Sequence, residues 1–145
     1  MTKTVSKPWG HELWIADGVT TPYALKKIFF QAGNQTSMQV HKYKCETNYV
    51  LEGTGIFLLS QEIFDIDAYL AGGISEQEVN DFIDSMQSLP LEPGLSYDVT
   101  PGYLHRVIAI TDLTFIEAST CELDDVIRLK DDTSRTHGRI FSEHI

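Results

Sequence analysis

Cysteine is nearly missing from this sequence. Only Cys45 and Cys121 occur in 145 residues, with no C-x-x-C pair, which excludes the disulfide framework of small secreted proteins. Both are read as free thiols. Cations are also scarce, with 11 Lys and Arg against 21 Asp and Glu and a formal net charge of −10. A surface that follows nucleic-acid phosphates or anionic lipid needs clustered positive charge, so nucleic acid and membrane are set aside as partners. Long apolar runs are absent too. No stretch is long enough to span a bilayer, and MTKTVSKPWG lacks the apolar segment of a secretory signal. The expected location is the cytoplasm. No repeat, low-complexity tract or linker interrupts the chain, and its 42% hydrophobic and 22% charged residues are ordinary globular usage. A single domain over residues 1–145 is expected.

What is present is a succession of short runs rich in β-branched and aromatic residues. They cover Tyr23 to Gln31, Ser37 to His41, Thr47 to Leu51, Gly55 to Leu59, Leu95 to Val99, Arg106 to Ile110 and Thr114 to Ser119. Turn signals such as Ala32-Gly33-Asn34, Glu52-Gly53, Glu92-Pro93-Gly94 and Pro101-Gly102 separate them. Seven such strands predict an all-β jelly-roll barrel. One stretch breaks the pattern. Ser75 followed by Glu78 reads as a capping box, and Val79, Phe82, Ile83 and Met86 then fall at helical spacing. With a shorter segment before it, this predicts a helical insertion over about residues 61–89.

Two stretches carry the candidate chemistry. In the first, Gln39 and His41 are two residues apart, so on a strand they share a face, and Glu46 can return across a short turn. In the second, Pro101-Gly102-Tyr103-Leu104-His105 delivers a histidine from a turn to the start of a strand. An amide oxygen, two imidazoles and a carboxylate suit one divalent metal ion, with Zn, Mn, Fe, Co and Ni all admitted. Cys45 adjoins Glu46 and is directed elsewhere, Arg106 is expected to point away from the metal, and His11, His137 and His144 read as surface residues. Lys26 and Lys27 are adjacent on a strand, so one of them faces inward or sits near an end. Arg128 and Arg135, among Asp124, Asp125, Asp131 and Asp132, read first as surface ion pairs.

These motifs resemble the cupin superfamily. Gly33, His41, Glu46 and Gly53 match the spacing of its first motif, with Gln39 in place of the first histidine, and Pro101, Gly102 and His105 match a shortened second motif. The glutamine narrows the resemblance to the mannose-6-phosphate isomerase type II group, found alone or at the end of GDP-mannose pyrophosphorylases. Lys7-Pro-Trp-Gly10, Ser37-Met-Gln-Val-His41, Tyr49-Val-Leu-Glu-Gly-Thr-Gly55 and Asp124-Asp-Val-Ile-Arg128 resemble that group's segments. Lys44-Cys45 and Thr133-Ser134 depart from its Arg-Ser and Tyr-Gly.

The resemblance implies a cupin barrel holding a metal on Gln39, His41, Glu46 and His105. It also implies an aldose–ketose isomerase acting on a small-molecule sugar phosphate, with Lys26, Lys44 and Arg135 as candidate cationic catalytic groups and no base identified. A homodimer is expected on the same ground. Two other functions use the same barrel: a cupin that binds a sugar or sugar nucleotide without altering it, and a metal-dependent dioxygenase.

Overall fold

Strand after strand in this chain alternates buried and exposed side chains, and the alternation closes two sheets around a shared interior. The computed structural model describes residues 2–130 and 138–140. Its strands are β1 (Lys3–Lys7), β2 (Gly10–Asp17), β3 (Ala24–Phe30), β4 (Met38–Val40), β5 (Glu46–Glu52), β6 (Gly55–Leu59), β7 (Gln87–Leu91), β8 (Ser96–Val99), β9 (His105–Ala109), β10 (Leu113–Ser119), β11 (Val126–Lys130) and β12 (Gly138–Ile140). They form two six-stranded antiparallel sheets, ordered β1-β2-β3-β10-β5-β8 and β12-β11-β4-β9-β6-β7. All seven expected strands are present. Five more join them: β1, β2, β7, β11 and β12. Trp14, Ile127 and Leu129, which lie on β2 and β11, are buried in the barrel wall.

In β5 the inward residues are Glu46, Asn48 and Val50, and the outward ones Thr47, Tyr49 and Leu51. In β3 the inward set is Ala24, Lys26, Ile28 and Phe30. The apolar end of the interior gathers Trp9, Ile28, Phe30, Val50, Phe57, Val107, Leu113 and Phe115. The other end of the same interior is polar, and it carries the site.

The helical insertion is real but shorter than expected. It consists of α1 (Ile66–Leu70) and α2 (Glu76–Asp84), and the chain is already a strand again at Gln87. Pairing of Leu89 with Phe57 and of Gln87 with Leu59 draws those residues into the second sheet. The capping box forms as read: Ser75 Oγ accepts from Glu78 N at 3.1 Å, and Glu78 Oε1 accepts from Ser75 N at 3.2 Å. Val79 is buried, and Phe82, Ile83 and Met86 pack with it against Met38, Val40, Leu104, Ile127 and Leu129. The insertion therefore covers the outer face of the second sheet.

Two glycines are required by geometry. Gly53 has φ +86, and a Cβ there would lie 1.9 Å from the Asp112 carbonyl oxygen. Gly102 has φ +90, and a Cβ there would lie 2.8 Å from Ile63 Cγ2.

Candidate metal centre

Three ligand-bearing segments meet at the polar end. Gln39 on β4 pairs directly with His105 at the start of β9, so their side chains share the inner face. His41 lies two residues beyond Gln39, and the backbone N–H of Gly102 donates to its carbonyl at 2.9 Å, tying the two motifs together. Glu46 opens β5. Between His41 and Glu46 the turn is clasped by Asp125, whose carboxylate accepts from the backbone N–H of Lys42 at 3.1 Å, Tyr43 at 2.6 Å and Lys44 at 2.9 Å. Burial would raise the Asp125 carboxyl, but these N–H groups, with that of Tyr43 foremost, hold it below its ordinary value.

The hydrogen bonds also orient both histidine rings. His41 Nδ1 lies 2.6 Å from the Asp125 carbonyl oxygen and His105 Nδ1 lies 3.0 Å from that of Tyr103. A carbonyl only accepts, so Nδ1 carries a proton in both rings and Nε2 is the ring nitrogen that each turns inward. His41 Nε2 is 2.9 Å and His105 Nε2 3.7 Å from Glu46 Oε1. Two imidazole nitrogens and a carboxylate oxygen thus converge, all three ligand atoms within 4.8 Å of one another.

First-row ions, with bonds of about 2.0–2.2 Å, separate their ligands by roughly 3–4 Å. His105 Nε2 is buried with no hydrogen-bond partner, as suits an atom that ligates a cation. Burial first, and the neighbouring His41 second, push the His105 imidazole down to about 4, so it is neutral. Glu46 is held well below the usual carboxylate range, because Lys44, a hydrogen bond from Glu117 and His41 outweigh its burial. Neutral imidazoles and an ionised carboxylate are the forms that bind metal. Gln39 Oε1 accepts from Ser37 Oγ at 3.2 Å and keeps a second lone pair.

Around this group lies a buried ionic network. Lys44 Nζ is 3.8 Å from Glu46 Oε1 and 3.4 Å from Glu117 Oε2. Lys26 Nζ is 4.0 Å from Glu117 Oε2, 3.5 Å from Glu12 Oε1, and 4.3 Å from the centre of the Trp14 ring. Burial would neutralise Lys44, but Glu117 and then Glu46 more than offset it and keep its ammonium charged. Burial, followed by repulsion from Glu46, pushes Glu117 up to about 8. A cavity of about 50 Å³ opens here, lined in part by Lys7, Lys26, Gln39, Lys44, Glu117 and Arg128.

Several readings from the sequence find their place. Lys26 is the inward lysine of its pair, 1% exposed, while Lys27 faces out. Lys44 joins the site. Arg106 is buried facing away from it and donates to the Thr36 carbonyl through Nε at 2.8 Å. Cys45 and Cys121 are free thiols, and His11 is exposed, stacked on Phe29. The surface reading of Arg128 is corrected: it is 4% exposed, because β11 pairs with β4 and sets Arg128 beside Gln39. Arg135, His137 and His144 lie outside the described residues. Sequence reasoning missed Glu117, Glu12, Asn48 and Asp125. The usable signal was a lone polar residue at the inward step of an alternating strand, as in Phe115-Ile-Glu117.

A two-sheet antiparallel barrel with a short helical insertion and a His–Glu–His cluster at one end defines a cupin jelly-roll fold with a site suited to metal. Solved structures similar to it are cupin-fold proteins. The capsular polysaccharide assembling protein CapF from Staphylococcus aureus has a TM-score of 0.65 at 16% identity, over 90% of this chain and 32% of that one. KdgF from Halomonas sp. has a TM-score of 0.60 at 17% identity, over 85% of this chain and 89% of that one. The oxalate decarboxylase of Lactobacillus farciminis, solved as a formate complex, has a TM-score of 0.60 at 14% identity, over 88% and 33%. The chain thus spans about a third of the CapF and decarboxylase chains, and at these identities the shared property is the fold. No protein-family model and no curated protein matches the sequence. Among the described residues, no helix is long and apolar enough to cross a membrane.

Proposed function

We propose that this chain is a metal-dependent cupin enzyme that interconverts an aldose and a ketose phosphate, of the mannose 6-phosphate type. The carrying observation is the convergence of His41 Nε2, His105 Nε2 and Glu46 Oε1, with His105 Nε2 otherwise unpaired. Gln39, His41, Glu46 and His105 would hold one divalent ion, Zn, Mn, Fe, Co or Ni. Bound there, it would offset the negative charge that develops on two neighbouring sugar oxygens.

The chain's own residues supply the rest. Glu117, a buried carboxyl pushed upward by burial and then by Glu46, lines the same cavity, so it suits the transfer of a proton between adjacent carbons. Lys44 and Lys26 contribute two ammonium groups to the cavity wall, where they would face the enediol charge. Arg128, and Arg135 from outside the described residues, are the guanidinium groups offered to the phosphate. The similarity to a capsular polysaccharide assembling protein supports a saccharide substrate.

The test is a coupled assay of the metal-replete protein against a hexose-phosphate panel. Turnover of mannose 6-phosphate that is lost on chelation supports the proposal, and a metal-replete sample inert to every hexose phosphate overturns it. One observation favours a second reading, a cupin that binds a saccharide without altering it: Lys26 and Lys44 are already engaged by carboxylates. Calorimetric binding without product would select that reading.

The proposal places the protein in the cytoplasm as a homodimer. Its candidate contact is the outer face of the first sheet, where Tyr49 and Ile15 are 47% and 43% exposed. A monomer in sedimentation at micromolar concentration would remove the dimer.

A further inference from the structure

On the inner side of the ligand group, away from His41 and Lys44, lies a second small chamber of about 50 Å³. Gln39, Glu46, Asn48 and His105 line it from the polar end, and Phe57 and Phe115 from the apolar end. Space of this size holds one or two water-sized groups. Two of the buried atoms without a hydrogen-bond partner belong to residues lining it, His105 Nε2 and Asn48 Oδ1. The metal reading explains the first. It leaves the second unexplained.

Asn48 is 4% exposed, and its Nδ2 donates to Glu46 Oε2 at 3.1 Å. A carboxylate can only accept, so the amide cannot be turned the other way round. This bond steadies Glu46 with Oε1 toward the histidines, and it uses only the nitrogen end of Asn48. An unpaired carbonyl oxygen inside a barrel is unfavourable, and the same inward face carries Val50 one step along β5. The oxygen is therefore matched to something that donates.

We infer that the chamber is a hydroxyl subsite: a ligand whose oxygen reaches the metal inserts a neighbouring O–H group into the chamber and donates it to Asn48 Oδ1. The group must be small to fit and a donor to pair with a lone carbonyl oxygen. The ligand class is thus one with a hydroxyl on the carbon next to its metal-binding oxygen, as in a polyol, an aldose or an α-hydroxy acid. The inference rests on the metal-centre reading and narrows its substrate.

Glycolate and acetate are the probes, because they share a carboxylate and differ by one hydroxyl. The intact protein is loaded with Co²⁺, and each acid is titrated while the visible absorption of the ion is followed. In Asn48→Ala, glycolate affinity falls about ten-fold, the equivalent of ~1.4 kcal/mol, and acetate affinity stays within about two-fold. Equal losses for both acids, or loss for neither, overturn the subsite. A Co²⁺ spectrum altered before any acid is added, with the glycolate-to-acetate ratio unchanged, means that Asn48 acts only by steadying Glu46, and it overturns the subsite equally. Failure of Co²⁺ to bind the unsubstituted protein overturns the metal centre instead. If Asn48→Ala does not fold, Asn48→Ser carries the same comparison through the same ratio.

Discussion

Two layers of the same barrel interior, one step apart on the same three strands, differ in almost every physical respect. Ile28, Phe115 and Val50 form one layer, with Phe115 paired to both of the others. Two residues further on lie Lys26, Glu117 and Asn48, with Glu117 paired to both. The backbone treats the two layers identically, since every second residue of a strand faces the same way. The first layer is held by non-directional burial, and any well-packed apolar set can serve there. In the second each charge must find a partner, because unpaired buried charges cost several kcal/mol. The apolar layer makes the barrel, and the polar layer makes it a particular barrel.

The largest expected effect lies at the polar end of the barrel. His105→Ala should lower metal affinity by more than the roughly 10–100-fold that loss of a supporting residue costs, read as metal per chain by elemental analysis after dialysis. The barrel should still fold, since the apolar layer is untouched. The reciprocal change is Phe30→Ala, one inward step beyond Ile28 on β3 and part of the same apolar cluster. It should cost about 3–5 kcal/mol in urea unfolding and leave the metal content of the folded protein unchanged. If Phe30→Ala instead abolishes metal binding in folded protein, the two layers are not separable.

Next in size is Lys26→Met, which keeps the stem volume but strips Glu12 and Glu117 of a shared cation. A loss of about 3 kcal/mol is expected, and adding Glu117→Gln should recover part of it in a double-mutant cycle.

The last comparison is the pH dependence of the metal-free protein. His105 titrates at about 4 when folded, below its ordinary 6.5, so the unfolded chain takes up its proton first. That contribution to stability is lost as pH falls from about 6.5 to about 4. Glu117 has the opposite sign. Its folded pKa of about 8 lies above the ordinary 4.5, so its contribution is present at acid pH and lost as pH rises through about 8. Each slope is at most about 1.4 kcal/mol per pH unit. Urea midpoints across this range should show both limbs, and Glu117→Gln should remove only the alkaline one.

The legible parts of the sequence were those with strong local signals. Short alternating runs marked seven strands, and Ser75 with Glu78 marked the start of α2. Gln39, His41, Glu46 and His105 stood out by spacing, and the structure brings them to one face around one cavity or the other. Strands β1 and β2 were not legible, because the Pro8-Trp9-Gly10 turn masks a hairpin whose inward residues include Glu12 beside Trp14. Nor was β11, whose Arg128 reads as a surface cation until pairing with β4 carries it inside. Asp125 read as one acid among several. Its clasp on the turn before Glu46 spans more than 80 positions along the chain, and no local pattern predicts that.

Sequence alone thus determined the periodicity, the turns and the candidate ligands within each motif, because each is a property of residues within a few positions of one another. Only the tertiary structure decided which lysine is interior, which arginine is buried and which carboxylates surround the site. Those outcomes depend on strand pairing between distant segments, and pairing sets the neighbours of a buried charge.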